Sequence, residues 1–110
     1  MELISGDRDI CPGISVRASP GHTRHNQSVV LRSGGKTACY IGDLIPTVAH
    51  IHPTWVMGYD LDPIGCIENR HKFYKEAVPQ RWLCIFTHEP RTPMVHLSEG
   101  EKGSLVANPI

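Results

Sequence analysis

Between Arg81 and Thr87 the sequence holds four consecutive apolar residues, Leu83-Cys84-Ile85-Phe86. Alternate side chains of a strand point to opposite sides of its sheet, so such a run describes a strand buried on both faces. A sheet built around it needs a cover on each side. The sequence supplies one good helix. Asp62 suits the N-cap, Pro63 suits the first helical position, and Ile67, His71, Tyr74 and Val78 recur at helical spacing until Pro79. Glu68 and Lys72 form an i,i+4 pair on the wet side, and Gly65 costs about 1 kcal/mol against Ala without removing the helix. One helix covers one face. The second cover has to come from a second copy of the chain or from further polypeptide of a longer domain.

The remaining strand-like runs are separated by Gly and Pro punctuation. Ile14 to Ser19 is closed by Pro20-Gly21. Ser28 to Leu31 and Thr37 to Ile41 flank Ser33-Gly34-Gly35-Lys36, a hairpin-type turn that should pair them antiparallel. Arg81 to Thr87 follows the helix, and Met94 to Leu97 and Ser104 to Ala107 read as late edge strands. The expected class is α+β, one mixed sheet with one main helix.

With 110 residues the chain makes one domain at most, and its 11 basic and 11 acidic side chains leave no net charge. That balance lacks the basic stripe needed to hold a phosphate backbone, so nucleic acid is not an expected partner. No apolar stretch approaches the ~20 residues of a membrane span, and no apolar leader follows Met1, which makes a cytoplasmic location the expectation. Cys11, Cys39, Cys66 and Cys84 form no C-x-x-C pair, against a zinc ribbon or a thioredoxin-type site, and are read as buried free thiols. The unusual count is seven histidines.

Three residues of metal-ligand type each come directly after a strand-like run: His22, Asp43 and His88. Strand ends are where layered folds gather functional groups, and strands sharing a direction would bring these three to one sheet edge. Two imidazoles and a carboxylate suit zinc and would also accept iron or manganese. Asp62 is explained by the helix cap, which leaves Asp60 without a paired-carboxylate role. His71 reads as a packed histidine, and His96 has no partner in the sequence. Trp55, Tyr59, Phe73 and Trp82 are too scattered for a base-stacking platform and read as core. Ser19 and Ser28 lack a base at readable spacing, so no serine triad is encoded.

In order along the chain stand Ser19-Pro20-Gly21-His22-Thr23, a strand, Ile41-Gly42-Asp43, then Asp60-Leu61-Asp62-Pro63 opening a helix, and finally Phe86-Thr87-His88-Glu89-Pro90. Gly6-Asp7-Arg8-Asp9-Ile10 with Pro12-Gly13-Ile14 precedes them. This ordered set resembles the second half of the metallo-β-lactamase fold, and the resemblance covers nearly the whole of residues 1–110. It implies half of a four-layer αββα sandwich whose hydrolases bind one or two metals between two sheets. By it, His22 would be the last histidine of the first metal site, Asp43 the catalytic carboxylate bridging the two metals, and His88 a ligand of the second. A metal-bound water, its pKa lowered from 15.7 to about 7, would attack an ester, thioester, lactone or phosphoester.

The chain departs from that pattern in one large respect. The signature His-x-His-x-Asp-His, which supplies most first-site ligands, is absent. His50-Ile51-His52 is followed by Pro53-Thr54-Trp55 and lies after the Gly-Asp motif, so both histidines read as loop residues beside the pocket. Where many relatives repeat Pro-Gly-His, this chain has Arg24-His25-Asn26, leaving His25 at most an orienting role. The expectation is a C-terminal half-domain partnered by the missing N-terminal half, with a small-molecule substrate in the complete enzyme. Alone it should bind metal weakly and hydrolyse negligibly. The alternative is a non-catalytic half-domain that dimerises through its uncovered sheet face.

Overall fold

The computed structural model describes all 110 residues. Seven strands form one sheet: β1 Arg8–Cys11, β2 Ile14–Ala18, β3 Gln27–Ser33, β4 Lys36–Tyr40, β5 Leu83–Ile85, β6 Met94–Glu99 and β7 Leu105–Pro109. They lie side by side in sequence order, and every neighbouring pair is antiparallel except β4 and β5. A parallel pair needs a crossover. Here it runs through two single 3₁₀ turns, Gly42–Leu44 and Val48–His50, and the helix α1, Pro63–Ala77. The β3–β4 hairpin closes through Gly34 and Gly35 at φ +56° and +74°, the two positive values that a type I′ turn demands.

Helix α1 starts as its sequence requires. The Asp62 carboxylate accepts from the Gly65 N–H at 2.9 Å, and Val78, whose N–H reaches the Tyr74 carbonyl, is the last residue before Pro79. Its buried stripe is Cys66, Arg70, Tyr74 and Ala77, one position round from the expected one. His71 is therefore exposed rather than packed, with Ile67 and Val78 half-buried. Arg70 carries the roll: its guanidinium, polar by composition, is drawn inward by a cluster of loop carbonyls, and its neighbour turns out to solvent.

The sheet's two faces differ. On the first, Val30, Cys39, Cys84, Val95 and Leu97, with Trp82 and Phe86 beyond the ends of β5, form one core with Tyr74 and Ala77 of α1. Arg17 of β2 holds Glu76 of α1 through two 2.9 Å bonds and lies over the Trp82 ring. The second face carries two cross-strand rows fixed by the register: Ile14-Leu31-Ala38-Leu83 and Val16-Val29-Tyr40-Ile85-Met94. None of these residues is buried, and Tyr40 and Met94 are 41% and 46% exposed. The both-faces pattern of Leu83 to Phe86 is thus met on one side only.

Several boundaries moved for local reasons. β5 is three residues long rather than seven, and at its N-terminal side Arg81, at φ +53°, cannot be extended backbone. β6 is interior, covered by β7 at the edge. β1, on the opposite edge, was not anticipated, and it leaves Cys11 exposed while the other three thiols are buried. Burial pushes Cys39 and Cys84, cross-strand neighbours in the core, up to about 12. Trp55 and Tyr59 lie outside the core, 61% and 73% exposed on the loop before α1.

Candidate metal centre

The topology fixes where the strands end. β2 and β4 are both antiparallel to β3, and β4 is parallel to β5, so all three run the same way. Their C-terminal ends share one edge of the sheet. His22, Asp43 and His88 are each a few residues past one of these ends, and the structure brings them together there.

His22 is held on several sides. Its loop is closed by the Ser19 N–H on the Asn26 carbonyl at 2.8 Å and by the Asn26 side-chain amide on the Ser19 carbonyl at 3.0 Å. Gly21, at φ +145°, lies against the first turn of α1, where a Cβ would come within 2.5 Å of the Cys66 Sγ. Asp62 donates its N–H to the Gly21 carbonyl and Leu61 to the His22 carbonyl, at 2.8 and 3.2 Å. Between these ties, the fully buried Asp60 carboxylate meets the ring: Oδ1 is 2.8 Å from His22 Nδ1, while Oδ2 accepts the Met57 N–H at 2.9 Å. Burial, reinforced by Asp60, pushes the Cys66 thiol up to about 11.

Asp43 lies in the 3₁₀ turn after β4, its carboxylate a third exposed. His88 Nε2 is 2.9 Å from Oδ1, and His22 Nε2 faces Oδ2 at 3.8 Å. One carboxylate therefore stands between two imidazoles, one to each oxygen. The His88 backbone N–H is fixed on the Pro46 carbonyl at 3.0 Å, but its side chain is 61% exposed. Next to it, Glu89 accepts the Val48 N–H at 3.0 Å, and this bond holds the Glu89 carboxyl below the usual range.

The loop between Asp43 and α1 is organised by Arg70. Its Nε donates to the Leu44 carbonyl at 2.8 Å, and Nη1 reaches the carbonyls of His50 and Trp55 at 3.1 and 2.8 Å. Desolvation lowers the Arg70 pKa, as expected of a buried cation bonded to neutral carbonyls. The imidazoles of His50 and His52 turn to local hydroxyls, Thr47 at 2.7 Å and Thr54 at 3.0 Å, and His52 also lies against Trp55. His25 is exposed in the His22 loop. Sequence reading missed Asp60 and Arg70. Asp60 carried a faint signal in sitting two residues before the cap; Arg70 looked like any charge on a helix.

His22, Asp43 and His88 are side chains of metal-ligand type, but they are too few for a metal centre. Asp43 with one histidine on each oxygen offers two donors per metal position, where a catalytic zinc takes about three plus an open position. In keeping with that shortfall, no group of three or more His, Cys, Asp or Glu side chains is placed to hold a metal ion.

No protein-family model and no curated protein matches the sequence. Solved structures do. A probable metal-dependent hydrolase from Staphylococcus aureus superposes with a TM-score of 0.85 over 99% of this chain, at 25% identity. A hydrolase of the β-lactamase superfamily, AbOPH, follows at 0.80 over 93% and 26% identity. The dizinc quorum-quenching lactonase AidC gives 0.79 over 94% at 22% identity, a likeness of fold. The chain spans only 39%, 36% and 35% of these three proteins respectively. The sheet, the helix and these superpositions give the chain the fold of a C-terminal half-domain of the metallo-β-lactamase type, shared with metal-dependent hydrolases.

Proposed function

We propose that residues 1–110 are the C-terminal half of a metal-dependent hydrolase domain, contributing His22, Asp43 and His88 to a two-metal site that a first half completes. The observation that carries this reading is the Asp43 carboxylate with the Nε2 of His88 and of His22 turned to its two oxygens. Zinc is the metal that the donor set and the dizinc relative favour. Bound metals would supply an activated water and stabilise charge on an ester, thioester, lactone or phosphoester. The chain's own part is to hold and space the ligands: Asp60 orients His22, Arg70 shapes the loop after Asp43, and the Pro46 carbonyl anchors His88.

Calorimetric zinc titration tests it. The chain by itself should bind zinc more weakly than micromolar and turn over esters negligibly, whereas a chain joined to a segment bearing His-x-His-x-Asp-His should bind zinc tightly and lose turnover on His88→Ala. Stoichiometric zinc at micromolar affinity or better in residues 1–110 alone, with esterase turnover lost on His88→Ala, would overturn the half-site reading. The bare sheet face supports a second reading, a half-domain that pairs through that face without catalysis. Paired chains that take up no zinc, with or without the completing segment, would favour it.

A further inference from the structure

We infer that Asp60 decides which nitrogen of His22 is free to act as a ligand, holding the ring in its Nδ1–H form with the Nε2 lone pair turned toward Asp43. The purpose of this arrangement rests on the proposed function; its geometry does not. Asp60 Oδ2 is committed as an acceptor by the Met57 N–H at 2.9 Å. Oδ1 is 2.8 Å from His22 Nδ1, and an ionised carboxylate only accepts, so the ring proton sits on Nδ1. A neutral imidazole carries one such proton, which leaves Nε2 bare. The carboxylate is fully buried, so water does not compete for it.

The backbone prevents the pair from drifting apart. Leu61 and Asp62 donate their N–H groups to the carbonyls of His22 and Gly21 at 3.2 and 2.8 Å, while the Asp60 N–H closes its own turn on the Met57 carbonyl at 3.1 Å. The segment bearing the carboxylate and the segment bearing the ring are thereby fixed to each other. His88 has no such device: its Nδ1 makes no hydrogen bond within the protein and its side chain is 61% exposed. Buried carboxylates commonly orient metal-binding histidines from behind, and losing one lowers metal affinity about 10- to 100-fold.

The isosteric change Asp60→Asn separates this role from simple packing. Met57 N–H still requires an oxygen, so the amide must turn its NH₂ toward Nδ1, which then has to accept. The ring proton moves to Nε2, with the fold intact. Nitrogen-15 spectra of the imidazoles in mildly alkaline buffer read this directly. In the unmodified chain His22 should show a pyrrole-like Nδ1 and a pyridine-like Nε2. Asp60→Asn should exchange the two and weaken zinc binding at least about 10-fold, while Asp62→Asn, which keeps a capping oxygen, should leave the His22 pattern unchanged. A proton on Nε2 in the unmodified chain overturns the inference without any variant, as does an unchanged pattern in a folded Asp60→Asn protein. If the pattern exchanges but neither protein binds zinc, even with the completing segment, Asp60 still controls the ring and it is the metal reading of His22 that fails.

Discussion

The two faces of the sheet are made of the same strands and have opposite fates. On one, Val30, Cys39, Cys84 and Val95 form a continuous row across β3 to β6 and are sealed by Tyr74 and Ala77 of α1. On the other, Val16, Val29, Tyr40, Ile85 and Met94 form an equally regular apolar row that nothing seals. A pattern of side chains that asks for burial on both sides and receives it on one is the imprint of a two-sheet sandwich seen from within one half. The edge where His22, Asp43 and His88 meet is incomplete in the same way, since the donors proposed there are too few for a metal centre.

This contrast can be broken at graded cost. Trp82→Ala removes the largest fully buried side chain of the sealed face and should destabilise the chain by about 3–5 kcal/mol, read by urea unfolding. Alkaline pH attacks the same face. The Cys39 and Cys84 thiols have folded values raised from 9.0 to about 12, so the unfolded chain ionises first. Their contribution to stability is intact below about pH 9 and is lost as pH rises toward 12. Denaturant midpoints measured across that window should fall accordingly. Asp62→Ala removes the cap that starts α1 and should cost about 1 kcal/mol with the sheet otherwise unchanged. The smallest effect belongs to the bare face. Tyr40→Lys and Met94→Lys, at 41% and 46% exposed positions, should each change the stability of a single chain by no more than about 0.5 kcal/mol while blocking association.

Much of this is legible in the sequence. The Gly34-Gly35 turn and the Asp62-Pro63 helix start are local signals, each fixed by a few neighbours, and they fell where expected, as did the strand runs apart from a shorter β5 and the added β1. So did the shared edge of His22, Asp43 and His88, because the short β2–β3 and β3–β4 connections turn β2 and β4 the same way and the crossover through α1 makes β5 parallel to β4. What was hidden depended on distant partners. Arg70 gives no sign in its own helix that carbonyls from the 44–55 loop will draw it inward, and that unseen pull is why His71 was misplaced. Asp60 gained its role only when Gly21 and His22 docked on the chain ahead of α1. Trp55 and Tyr59 look like core by composition, yet they stand in solvent on the loop before α1.

Both readings require the bare face to be covered, by the completing segment or, when that segment is missing, by a second copy. Light scattering coupled to size-exclusion chromatography tests this directly on residues 1–110 and on the Tyr40→Lys/Met94→Lys variant. The unmodified chain should run as an associated species, and the variant should return to the 12.2 kDa of one chain. A monodisperse 12.2 kDa particle that binds no apolar dye, identical with and without the two lysines, would contradict it.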